Sequence, residues 1–136
     1  MKINPYLFFK GNCEEAFKVY ADVFGGKILA MMPHKGSPAE SQTPPEWQNK
    51  IMHAAMQLGE QTLMASDAPP GHQSQMSGFA VSVDLPTSAD VERAFATLAK
   101  GGTVTMPVGE TFFAKSFGMV TDRFGTPWMI ICPKPM

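Results

Sequence analysis

The sequence predicts an α+β chain assembled from two βαβββ modules, and three observations carry that reading. The helix-start residues Asn12 and Thr87 stand 75 residues apart. The first glycines of two helix-stopping pairs, Gly25-Gly26 and Gly101-Gly102, stand 76 apart. Short strand-like runs bounded by turn residues follow each pair. A nearly constant offset of this kind marks an internal duplication. Eight strands in two open, curved mixed sheets would leave a cup for a ligand. The expected organisation is a single domain over residues 1–136, with a first module at 1–67, a linker at 68–76 and a second module at 77–136.

Each element has its own local signal. Ile3 to Phe9 is an apolar, aromatic-rich run and predicts a strand. Asn12 is a good N-cap, and Glu15 three residues on completes a capping-box-like pair. Ala16, Phe17, Tyr20, Val23 and Phe24 follow helical spacing, and Gly25-Gly26 ends the helix. Lys27 to Met32 is the next strand. Residues 33–49 hold four prolines and no periodicity, which predicts a long loop of the kind found in lids and binding loops. Lys50 to Leu58 and Gln61 to Asp67 are strands joined by a two-residue turn, Gly59-Glu60. After the linker the order restarts with a strand at Gly78 to Leu85. A helix follows, capped by Thr87 or Ser88 and apolar at Val91, Ala94, Phe95 and Leu98. Strands at Thr103 to Met106, Phe112 to Thr121 and Trp128 to Cys132 complete the module. Asp122 and Gly125 suit the ends of the turn joining the last two.

Composition excludes several classes. A hydrophobic fraction of 44% and a charged fraction of 17% are globular values. The net charge of −1, with scattered lysines and arginines, offers no attraction for nucleic acid or an anionic membrane. The two cysteines, Cys13 and Cys132, form neither a disulfide framework nor a zinc site. No apolar stretch reaches membrane-spanning length, and the first residues do not form a signal sequence. A cytoplasmic protein is expected.

The segments PYLFFKGNCEEAFKVYADVFGG, MASDAPPG and FGMVTDRFGTPWMIICP add a resemblance. Together with the duplicated βαβββ order, they resemble the PhnB-like branch of the vicinal-oxygen-chelate (glyoxalase/bleomycin-resistance) superfamily over almost the whole chain. The resemblance implies the cup-shaped fold and a homodimer. Metal-dependent members of that superfamily place His or Glu on the first and fourth strand of each module. Alignment puts those positions at Pro5, Met64, Gly78 and Met129, none of which is a donor for a hard or borderline divalent ion. No metal and no cofactor is therefore expected. The branch has often carried the label of a demethylubiquinone methyltransferase domain. Gly25-Gly26, however, ends a helix, whereas a nucleotide-binding turn would open one.

With Met64 facing the cup, the Gly59-Glu60 turn would pair Gln57 with Thr62, Ala55 with Met64 and His53 with Ser66. His53 is then the candidate catalytic general acid/base. Gln57, Thr62, Met64 and Ser66 are candidate ligand-binding residues, joined from the second module by Lys115, Trp128 and Met129. Each has a plainer alternative: a strand histidine satisfied by a neighbour, core aromatics, gap-filling methionines among the eleven present, and a solvated lysine. Ser66 and Asp67 point to opposite faces, so a nucleophilic triad with His53 is disfavoured. His34 and His72 are expected as exposed loop residues, and Trp47 as the loop residue that gains most from burial. The expected function is metal-free binding of a small molecule. The alternative is an enzyme using His53 on a small polar substrate. A metal-dependent lyase or dioxygenase, or a methyltransferase, ranks below both.

Overall fold

The computed structural model describes residues 1–135, which divide into two compact units, the first Met1–Ser74 and the second beginning at Gln75. The first unit runs β1 (Tyr6–Phe9), α1 (Cys13–Phe24), β2 (Lys27–Pro33), β3 (Ile51–Leu58) and β4 (Gln61–Asp67). The second runs β5 (Val81–Asp84), α2 (Ser88–Ala99), β6 (Thr103–Gly109), β7 (Ala114–Thr121) and β8 (Pro127–Pro133). Each unit is a four-stranded mixed sheet with one helix, ordered β1-β4-β3-β2 and β5-β8-β7-β6. In both, the first strand pairs in parallel with the last and the other pairings are antiparallel. The α+β class and the duplicated element order are those the sequence implies.

Alternation along the strands explains why one helix suffices for each sheet. In the first unit Leu7, Phe9, Ala54, Met56, Leu63 and Ala65 are buried on one face. They pack with Ala16, Phe17 and Tyr20 of α1, where Phe9 meets Phe17 edge-on at 6.5 Å. Gly25 ends α1 in the left-handed conformation at φ 67°, as a C-terminal glycine does. In the second unit Val91, Ala94, Phe95 and Leu98 of α2 are buried, as are Val120, Trp128, Ile130 and Cys132. At Gly118 the helix comes so close that a Cβ would lie 2.7 Å from Phe95 Cε2.

The capping expectation holds for α2 and fails for α1. Thr87 accepts the Asp90 N–H at 3.1 Å. Asn12 makes no side-chain cap, and its Oδ1 is buried without a hydrogen-bond partner. The carboxylate of Asp67, at the end of β4, takes over. Its Oδ1 accepts the Gly11 and Cys13 N–H groups at 2.9 and 3.0 Å, and its Oδ2 accepts that of Ile51 at 2.9 Å. A cap supplied from 54 residues away leaves no trace in local spacing.

The segment between β2 and β3, a long irregular stretch as the sequence implies, packs against the rest of its unit. It contains two 3-10 turns, Glu40–Gln42 and Pro45–Trp47. Trp47 and His34 are both buried. His34 Nδ1 donates to the Lys50 carbonyl at 3.1 Å, so this histidine is not exposed decoration. Lys50 Nζ donates to the Gly11 carbonyl at 2.8 Å and lies over the Trp47 ring. His72 is exposed, as expected. Among the described residues no helix is long and apolar enough to cross a membrane.

Candidate functional site

The face of the first sheet turned away from α1 gathers five of the candidate residues. Ala55 pairs with Met64 and Gln57 with Thr62 across β3 and β4, the register that a two-residue Gly59-Glu60 turn dictates. Met32 of β2 pairs with His53, while Tyr6 and Phe8 of β1 pair with Met64 and Ser66. Partners share a face and alternate residues return to it. His53, Gln57, Thr62, Met64 and Ser66 therefore lie on one surface with Tyr6, Phe8 and Met32. The β3–β4 ladder closes at Ala54–Ala65, so His53 and Ser66 share the face without pairing directly.

Tyr6 is the residue that the sequence did not single out. Its Oη lies 3.2 Å from His53 Nδ1, and the rings stack at 5.8 Å and 30°. Phe8 lies 5.0 Å from the Tyr6 ring and is 55% exposed; Met32 is 44% exposed. The signal was present as Tyr6 and Phe8 alternating with buried Leu7 and Phe9 in the first strand. Aligning Pro5 with Met64 turned Tyr6 to the wrong face.

Gln57 and Ser66 are less available than the sequence suggested. Gln57 Nε2 donates to the Gly59 carbonyl at 3.1 Å, folding back on its own hairpin. Ser66 is buried at 8% exposure. Thr62 and Met64 are half-buried.

In the second unit Trp128 requires correction. It is 1% exposed, paired with Val81 and Val120, and its Nε1 donates to Asp122 Oδ2 at 2.8 Å. Trp128 is a core residue on the helix side, not a ligand platform. Asp122 Oδ1 accepts the Phe124 and Thr126 N–H groups, so the same carboxylate also fixes the β7–β8 turn. Met129 is half-buried on the other face, beside its partners Ser82 and Met119. Lys115 is exposed at a register shift in β7.

The metal-equivalent positions also shift. Pro5 precedes β1 and its carbonyl accepts the Met64 N–H at 3.0 Å; the residue facing with Met64 is Tyr6. Gly78 precedes β5, and the partner of Met129 is Ser82. Neither pair, Tyr6 with Met64 in the first unit or Ser82 with Met129 in the second, supplies an imidazole or carboxylate donor of the kind a divalent ion takes. Among the described residues no three His, Cys, Asp or Glu side chains cluster as a metal site.

Comparison with known proteins adds the family. The model described as 3-demethylubiquinone-9 3-methyltransferase matches residues 1–131. The chain belongs to this family, the PhnB-like branch of the vicinal-oxygen-chelate superfamily. It is 36% identical to the protein YjdN of Escherichia coli K12, over 96% of this chain and 94% of that one. The structure of PA1353 from Pseudomonas aeruginosa is 47% identical, covers 97% of both chains and superposes with a TM-score of 0.89. The PhnB protein from Bacillus cereus is 25% identical over 97% of this chain and 99% of its own, with a TM-score of 0.83. A glyoxalase/bleomycin resistance/dioxygenase domain from Frankia is 15% identical over 98% of this chain and 95% of its own, with a TM-score of 0.65; it shares the fold of this PhnB-like chain.

Proposed function

We propose that this PhnB-like protein binds a small molecule, without a metal ion, on the helix-free face of its first sheet, with Tyr6 and His53 as the polar anchor. The observation that carries the reading is the Tyr6–His53 pair set among exposed Phe8, exposed Met32 and half-buried Met64. A few polar groups within an apolar lining are what fix a ligand's orientation. Phenol and imidazole can each donate or accept, which suits a polar substituent on an otherwise apolar molecule.

A second reading has its own support. With Nδ1 engaged by Tyr6, the His53 ring is held in one orientation and Nε2 remains to exchange a proton with a substrate. His53 would then be a general acid/base and Tyr6 its positioning residue. The methyltransferase activity named in the family description finds less support. At the β1–Gly11–α1 junction, where a nucleotide phosphate would sit, the Asp67 carboxylate already accepts the helix-terminal N–H groups. We also expect a homodimer, which light scattering would test.

The test is a thermal-shift screen of small molecules with and without a chelator. Ligands should raise the melting temperature equally in both arms and lose their effect in His53→Ala. One tightly held divalent ion per chain by elemental analysis would overturn the metal-free reading, and ligands indifferent to His53→Ala would move the site elsewhere.

A further inference from the structure

The ladder between β2 and β3 shifts register between Met32, which pairs with His53, and Pro33, which pairs with Ile51. Met52 is the extra residue. Bulges of this kind re-aim a side chain and are frequent beside functional sites. Here Met52 and Met32 flank a groove of about 330 Å³, completed by Pro33, Lys35, Ser37 and Pro38. The volume suits a small ligand. The lining is mostly apolar, and the two thioethers can adapt to a flexible chain. Lys35 is exposed at the rim, and among the described residues no carboxylate lies within ion-pair reach of it.

We infer that this groove is a second binding subsite, taking an apolar chain that ends in an anionic group such as a carboxylate or phosphate. Met32 belongs to both surfaces, since it pairs with His53 and lines the groove. A ligand whose polar head meets Tyr6 and His53 can therefore cross Met32 and lay its chain between Met32 and Met52. Its charged end would meet the Lys35 ammonium. The role as one part of a larger site rests on the function proposed above; the groove's preference for anions does not. Charge complementarity decides the occupant: an amine-tailed molecule would meet Lys35 as a like charge, and a neutral tail would gain nothing there.

Titrating ¹³C-methyl-methionine protein with octanoate, octanol and octylamine tests this. Met32 and Met52 methyl signals, assigned through Met32→Leu and Met52→Leu, should shift saturably with octanoate. Octanol should bind about threefold to fivefold more weakly, the scale of one exposed ionic contact, and octylamine more weakly still. Lys35→Gln should reduce octanoate to the affinity of octanol. Equal responses to all three probes, or an octanoate affinity unchanged by Lys35→Gln, would overturn the anion subsite. His53 imidazole signals from the thermal-shift ligands report the polar anchor separately. Silence at His53 with a response at Met32 and Met52 leaves the groove standing and overturns only the anchor.

Discussion

Tyr6 Oη lies 3.2 Å from His53 Nδ1, reaching from β1 over the intervening β4 to β3 and joining residues 47 positions apart. A phenol is the natural donor in this pair, so neutral His53 carries its proton on Nε2. Tyr6→Phe keeps the ring stacking and removes the hydrogen bond. The neutral imidazole should then show a mixture of tautomers by ¹⁵N chemical shift, where the parent protein shows Nε2–H. Affinity for a ligand of this face should fall by up to about tenfold, the worth of one hydrogen bond. A parent protein protonated on Nδ1 would refute the assignment.

Asp67 holds three segments together through Gly11, Cys13 and Ile51. Asp67→Ala leaves three N–H groups without their acceptor, two of them in buried contacts. The expected loss is roughly 3–5 kcal/mol, because charge-assisted bonds are lost and buried donors go unpaired. Asp67→Asn retains an oxygen acceptor and should lose less. Urea unfolding measures both. Equal stability of Asp67→Ala and the parent would show that the carboxylate is not the cap of α1.

The contrast between Asp67 and Thr87 shows what was legible in the sequence. Thr87 caps from one position before its helix, so spacing narrowed the cap to Thr87 or Ser88; Asp67 caps across the fold, so only tertiary structure could reveal it. The β3–β4 register was readable because Gly59-Glu60 leaves one way to close. The β7–β8 loop is longer and can close with either parity, so spacing does not fix which face Trp128 takes; its Nε1 bonds to Asp122 in the core. Tyr6 was missed for a related reason. A parallel pairing has no short turn to fix its register, and a shift of one residue moves a side chain to the other face.

Trp128 and Asp122 offer a direct check of that correction. Trp128→Phe removes the 2.8 Å bond from Nε1 to Asp122 Oδ2 and most of the buried indole's bulk advantage. Stability should fall by about 2–3 kcal/mol, from a buried charge-assisted bond together with lost packing. Ligands of the first sheet that depend on His53 should keep their affinity. A binding defect without a stability defect would restore Trp128 to a ligand surface.

Cys13 links stability to pH. Burial above all, then the neighbouring charges of Asp67 and Glu14, pushes its thiol far above the ordinary value of 9.0. The folded thiol therefore stays protonated where the unfolded one ionises. Below the ordinary value both states hold the proton and the contribution is fully present. As pH rises through it, the unfolded state alone releases a proton, and stability is lost. The loss approaches about 1.4 kcal/mol per pH unit for this one group. Cys13→Ala removes it, so unfolding free energies of variant and parent should converge as pH climbs from 8 to 10. The native thiol should also resist alkylation at pH 8 until denaturant is added. Parallel pH profiles, or rapid labelling of Cys13 in the folded protein, would show that the thiol is accessible and its shift absent.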